Sequence, residues 1–159
     1  VSVQIRPFLA GDIVQLALQP SQHVTLGMCR AVHGIEDGVD LEQAGPAWTA
    51  IGTEAEGRGR ILCCYGFTEL WPAGPKTGGH ALAWAMLASG LGSAHLAITR
   101  FARRTIAQSP FTRIEAIVRA NVAAECSWAR LCGFTQSAEL RAWGPDGETH
   151  LLFERVRAG

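Results

Sequence analysis

The sequence predicts an α/β fold, a mixed α+β sheet of about seven strands with four helices, and three observations carry that prediction. Strand-like and helix-like segments follow one another in the order β-α-α-β-β-β-α-β-α-β-β. The run "HALAWAMLA" (80–88) is apolar on both faces, as a central strand covered on both sides requires. The last two strand-like segments flank "GPDG" (144–147), where Pro presets the first corner of a turn and Gly accepts the second.

The first strand is "SVQIRPF" (2–8), and Gly11-Asp12 opens a helix with Ile13, Leu16 and Ala17 on one face. Pro20-Ser21 restarts a second helix, in which Val24, Met28 and Val32 recur at helical spacing until Gly34 ends it. "GIEDGVDLEQAGP" (34–46) reads as an acidic, Gly-rich connection. "AWTAIGTEA" (47–55) reads as a strand, "EGRG" (56–59) as a tight turn and "RILCCYGFTEL" (60–70) as the antiparallel partner. "WPAGPKTGG" (71–79) leaves little scope for regular structure. After the apolar strand, "SGLGS" (89–93) breaks the pattern. "AHLAITRFARRTIAQ" (94–108) is the clearest helix, with Ala94, Ala97, Ile98, Phe101 and Thr105 on one side, and Ser109-Pro110 ends it.

"TRIEAIVRA" (112–120) alternates apolar and polar as a strand does. A short helix follows, with Ala124, Trp128, Leu131 and Cys132 at i, i+4, i+7 and i+8. Asn121 is placed to cap it, and Gly133 to end it in the left-handed conformation before Phe134 turns into the core. "SAELRAW" (137–143) and "THLLFERV" (149–156) are the last strands. The early strands are expected to pair by hairpins, and segments joined through long helices to be parallel neighbours.

At 159 residues the chain is expected to form one domain, 1–159, burying about two-thirds of its unfolded surface. A formal net charge of zero gives no pull toward nucleic acid or an anionic membrane. The five cysteines, Cys29, Cys63, Cys64, Cys126 and Cys132, are odd in number and contain no CxxC pair. They fit neither a disulfide framework nor a metal site, and are expected as buried thiols in a reducing cytoplasm. The N-terminal segment lacks a signal-peptide pattern, and the apolar run at 80–92 is too short to span a bilayer.

The order of elements, together with Asn121 after the fifth strand, Ala124 three places on, and Gly133-Phe134 closing the fourth helix, resembles the GNAT superfamily of N-acetyltransferases. The closing hairpin "AELRAWGPDGETHLLFERV" is also similar to that family's last strands, and the aromatic "ALAWAML" strand resembles its phage- and prophage-encoded members. The resemblance implies an acyl-CoA-dependent N-acyltransferase acting on an amine, with acetyl-CoA as co-substrate, and it allows a homodimer. The alternative is a non-enzymatic protein of the same fold, with a phage-derived structural or accessory role.

A strand-to-helix junction rich in glycine suits the phosphates of such a co-substrate, because the first N–H groups of a helix face outward and Gly lets the backbone approach. Residues Leu87, Ala88, Ser89, Gly90, Gly92, Ser93 and Ala94 supply that junction, and the same residues also make an ordinary strand-to-helix turn. In the family a Gln or Arg stands where this chain has Leu87. The resemblance places Asn121 near the pantetheine arm. Arg100, Arg103 and Arg104 share one helix face, fit either for a 3′-phosphate or for solvent.

Acyl transfer needs a base for the amine and an acid for the leaving thiolate. Many family members carry a Tyr acid where this chain has Ala129; Tyr65, Cys126 and Ser127 are the alternatives. For the base, Glu69, His80 and Glu54 are candidates. Glu36, Asp37, Asp40 and Glu42 lie where the family's acceptor site is framed, and would either favour a cationic amine or keep the segment soluble.

Overall fold

The computed structural model describes residues 2–22, 34–53 and 59–157. Its elements run β1 (Ser2–Pro7), α1 (Asp12–Gln15), α2 (Ile35–Ala44), β2 (Ala47–Thr53), β3 (Gly59–Trp71), β4 (His80–Leu87), α3 (Ala94–Gln108), β5 (Arg113–Arg119), α4 (Ala123–Leu131), β6 (Thr135–Leu140) and β7 (His150–Val156). From β2 onward the elements follow the predicted order, while α2 lies in the segment read as a connection and the helix expected from Pro20 to Gly34 falls mostly outside the described residues. The seven strands form one mixed sheet in the order β1-β2-β3-β4-β5-β7-β6. β4 and β5, joined through α3, are parallel, with His80 opposite Arg113 and Leu82 opposite Glu115. β5 and β6, joined through α4, are not neighbours: β7 lies between them, antiparallel to both. β1 pairs antiparallel with β2 although α1 and α2 intervene, so this early pair is no hairpin.

The packing divides the chain into two units, residues 1–68 with 84–98, and residues 69–83 with 99–159. The first has a core of Phe8, Ile13, Leu16, Cys64, Trp84, Met86 and Ala88, with the Phe8 and Trp84 rings edge to face at 5.7 Å. The Asp12 carboxylate sits beside it, taking two bonds from the Arg6 guanidinium (2.7 and 2.8 Å), one from the Thr49 hydroxyl (2.6 Å) and one from the Leu9 N–H (2.9 Å). Burial acts to raise the Asp12 carboxyl, but these bonds outweigh it and hold the group below its ordinary range. Cys64, buried under Thr49, is pushed up to about 12 by desolvation and is an inert thiol.

Two sequence expectations change in this unit, and a third falls mostly outside the described residues. Helix α1 is four residues long: Leu16 turns extended (ψ 118°) and the chain runs on beside β4, leaving Ala17 exposed. Pro20–Gln22 is a 3-10 turn, and Val24, Met28 and Val32 lie outside the described residues, as does the expected turn at 56–58. The segment read as a connection is the ten-residue helix α2. Gly34 begins it in extended conformation and its N–H donates to the Asp37 carboxylate (2.9 Å), while Glu36 and Asp37 place negative charge at the N-terminus. Gly38 permits a close approach, since a Cβ there would lie 2.0 Å from the Ala10 carbonyl oxygen.

In the second unit, Ile114 and Phe153 are fully buried, each worth about 1.5–3 kcal/mol of transfer free energy. The face that α4 buries carries Cys126, Ala129 and Cys132; Ala124 and Leu131, expected inward, are exposed, so the helix is rotated from the predicted stripe. Trp128 explains part of the rotation, because its indole N–H donates to the Thr99 hydroxyl of α3 at 2.8 Å. Arg155 on β7 donates to the Ile106 and Phe111 carbonyls, both at 2.7 Å, satisfying the C-terminal end of α3. Gly133 has φ 99° with its N–H on Arg130 O, the Phe134 N–H bonds to Ala129 O, and Phe134 is buried, as the sequence predicts.

Candidate functional site

β4 ends at Leu87 and delivers the chain into the junction that precedes α3. Ala88 is buried and its N–H donates to Leu62 O on β3 (2.8 Å), which fixes the start of the turn. Gly90 (φ 68°) and Gly92 (φ 51°) are both left-handed, and a Cβ on either would meet nothing within 4 Å. Backbone conformation, not crowding, therefore calls for glycine here, and the space over the loop is open. Ser89, Gly90, Gly92 and Ser93 are exposed. The first bonds of α3 are tight ones, from Ala94 to Leu91 O, His95 to Gly92 O and Leu96 to Ser93 O. The N–H groups of Leu91, Gly92 and Ser93 thus lead the helix, with no upstream carbonyl of their own turn to take them.

The sequence reading missed one residue at this junction. Arg60, on β3, donates its guanidinium to the Ser89 carbonyl oxygen and is itself exposed. It brings a cation to the loop from another strand, whereas Leu87, buried in β4, brings none. No local motif reveals Arg60, since the contact spans 29 residues.

Of the catalytic candidates, Tyr65 is buried and stacked on Trp48, its cross-strand partner, with ring centroids 5.6 Å apart. Glu69 is exposed toward the end of β3. His80 is mostly buried at the start of β4, with Nε2 3.3 Å from Glu115 Oε2. Glu115 also accepts from Arg113 (2.7 Å), which in turn reaches Glu154 at 2.5 Å, so the imidazole faces a carboxylate held in place by an arginine. Glu115 is the second residue the sequence reading did not single out; its place beside His80 follows from the parallel β4–β5 register. Glu54 lies outside the described residues.

Asn121 is exposed in the turn after β5 and does not cap α4: the N-cap is Val122, with no side-chain cap bond. The turn is held instead by Glu125, whose carboxylate accepts from the Arg119 guanidinium and from the Arg119 N–H (3.4 Å). That leaves the Asn121 amide on the surface of a turn that other residues shape. Cys126 is buried, its thiol 3.5 Å from Arg119 O, while Ser127 is exposed. Ala129 is buried. Arg100, Arg103 and Arg104 are exposed on α3. Among the four acids of α2, Asp37 is engaged by Gly34 and Glu42 by the Ala10 N–H (3.2 Å). Among the described residues, no group of three or more His, Cys, Asp or Glu side chains is placed to hold a metal ion, and no helix is long and apolar enough to cross a membrane.

No protein-family model matches the chain, and no curated protein matches it. Solved structures do. yncA from Salmonella typhimurium, solved with its cofactor acetyl-CoA, matches with a TM-score of 0.73 at 13% identity over 100% of this chain and 98% of its own. Ard1 from Thermoplasma volcanium matches with a TM-score of 0.72 at 13% identity, covering 100% of both chains. A GNAT superfamily phosphinothricin acetyltransferase from Sinorhizobium meliloti, in complex with acetyl-CoA, matches with a TM-score of 0.69 at 13% identity over 98% of this chain and 89% of its own. Identities this low speak for architecture alone, and the architecture of this chain is the GNAT acetyltransferase fold.

Proposed function

We propose that the protein is an acyl-CoA-dependent N-acyltransferase that moves an acetyl group from acetyl-CoA to an amine. The observation that carries this reading is the junction at 88–94: two left-handed, exposed glycines running into the start of a fifteen-residue helix, with Arg60 bonded to the loop. Helix N–H groups and an arginine suit a pyrophosphate, and the open space over both glycines lets phosphate oxygens come close to the backbone. Arg60 takes the part that the family gives to the residue at Leu87. Asn121 is proposed for the pantetheine arm, on the resemblance and on its exposed amide.

In the reaction the amine nitrogen attacks the thioester carbon, the carbon–sulfur bond breaks, and CoA departs as a thiolate. The amine's proton passes to a base. His80 is favoured over Glu69 because its Nε2 lies 3.3 Å from the Glu115 carboxylate at a mostly buried position, whereas Glu69 is exposed toward the end of its strand. Tyr65, buried against Trp48, and Ala129, buried in α4, leave the thiolate to take its proton from water. A thiolate whose conjugate acid has a pKa near ~8.5 leaves without strong assistance. We further propose a cytoplasmic setting, on the cysteine usage, and a homodimer, which light scattering tests. A phage-type origin rests on the aromatic β4 alone.

The test is thermal melting with and without acetyl-CoA, followed by CoA release with a panel of small amines and N-terminal peptides across pH. Acetyl-CoA at a hundred times its dissociation constant should add about 2.7 kcal/mol. Release should rise with pH as the acceptor amine loses its proton. A melting shift with no release from any amine supports a binding protein of this fold; neither shift nor release supports the non-enzymatic reading.

A further inference from the structure

The edge of β4 that faces away from β3 is occupied by the protein's own chain. Ala88 donates its N–H to Leu62 O on β3. Successive residues of a strand present their backbone groups to opposite edges, so Ala85, Leu87 and Ser89 face the other way. All three are engaged by residues 17–22. Leu87 N–H donates to Gln22 Oε1 (2.7 Å), Gln22 Nε2 donates to Ala85 O (3.1 Å), Gln19 N–H donates to Leu87 O (2.9 Å) and Ser89 N–H donates to Ala17 O (3.2 Å). Leu18 and Ala88 form the bridge at the middle of this short antiparallel strap. The Gln22 side chain, buried, does the work of a strand residue that the 3-10 turn cannot supply.

We propose that residues 17–22 are a displaceable strap that competes with the extended, amide-bearing arm of acetyl-CoA for the edge of β4 at Ala85–Ser89. The inference rests on the acyl-CoA reading. Its chemistry is that of strand addition: an extended chain carrying amides pairs with an exposed strand edge as a peptide does. The pantetheine arm has two such amides. The edge leads directly into the phosphate junction, since Ser89 both bonds the strap and receives Arg60. A chain anchored by its phosphates at 90–94 would therefore meet the strap first. Docked strap lowers the apparent affinity by the fraction of molecules in which the edge is free.

The experiment compares wild type with Gln22→Ala and Gln22→Glu, using acetyl-CoA and 3′-phospho-ADP, which has the phosphates and no amide arm. Melting curves first establish that each variant folds. Titration should show acetyl-CoA binding about tenfold tighter to Gln22→Ala, with 3′-phospho-ADP unchanged. In wild type, hydrogen exchange should show the Gln19 amide losing protection when acetyl-CoA binds, while the Leu87 amide stays slow because it has changed partners. Acetyl-CoA binding with Gln19 still protected, or equal affinity for wild type and Gln22→Ala, would overturn the strap and leave the acyl-CoA reading intact. Weaker binding by Gln22→Ala would make the strap a scaffold. Failure of both ligands to bind any of the proteins would overturn the acyl-CoA reading, and the strap's role with it.

Discussion

Gly133 stands at φ 99°, where a β-branched side chain is strained. Gly133→Val is expected to cost about 1–3 kcal/mol, read as a lower melting temperature, with the cap bonds at Arg130 O and Ala129 O disrupted. Gly92 also has positive φ, but its surroundings are open and Asp tolerates that region better than most residues. Gly92→Asp should therefore fold and lose acetyl-CoA affinity, because its carboxylate would face the phosphates; Arg60→Ala should lose affinity too, and more so at low salt. Isothermal titration giving wild-type affinity for both variants would remove the phosphate site from this junction. Asp12 is the fourth residue with a measurable signature. Its carboxyl is held below the ordinary value, so the stability it adds is complete above about pH 4 and is lost as pH falls through the folded-state value. Asp12→Ala should cost about 3 kcal/mol at neutral pH, at the low end for a broken buried pair because Arg6 is 30% exposed and can rehydrate, and the variant's acid-unfolding curve should be flatter.

Elements with strong periodicity were legible in the sequence. The bounds of α3 are those read from "AHLAITRFARRTIAQ", and β3, β4 and β5 fall within a residue or so of their predicted ends. What was not legible has physical causes. α2 is carried by a cap, an acidic first turn and a glycine that fits under Ala10 O, none of which appears as an apolar stripe. α1 is cut short because the chain that follows it pairs with β4, a tertiary contact no local pattern encodes. The stripe on α4 was misread because Trp128 is tethered by its indole to Thr99, and the smaller Cys126 and Ala129 fill the core instead. Around the candidate site, the glycines stand out in the sequence but the bond from Arg60 to Ser89 spans 29 residues, and the approach of Glu115 to His80 depends on strand register, so neither neighbour is visible in a local pattern. The α4 packing also bears on restoring a family-type acid. Ala129 is buried, so Ala129→Tyr would push a phenol into a filled core. It should lower the melting temperature by an overpacking cost of about 1–3 kcal/mol and leave CoA release no faster. A tenfold gain in release would show that the helix can turn that position outward.

At the scale of the whole molecule, the strand order carries a consequence for how the chain is made. β7 lies between β5 and β6, paired with Arg113–Arg119 on one side and with Thr135–Leu140 on the other. Arg155 on the same strand closes the end of α3. During synthesis, β5, α4 and β6 all emerge before the strand that joins them. The ribosome adds about 5–20 residues per second, so those segments wait on the order of a second with their pairing edges open. A nascent chain stalled before residue 150 should thus resist protease in residues 2–22 and 34–53 sooner than in residues 99–140, and should call on chaperones for the latter. The last strand to be made is the one that zips the second unit shut.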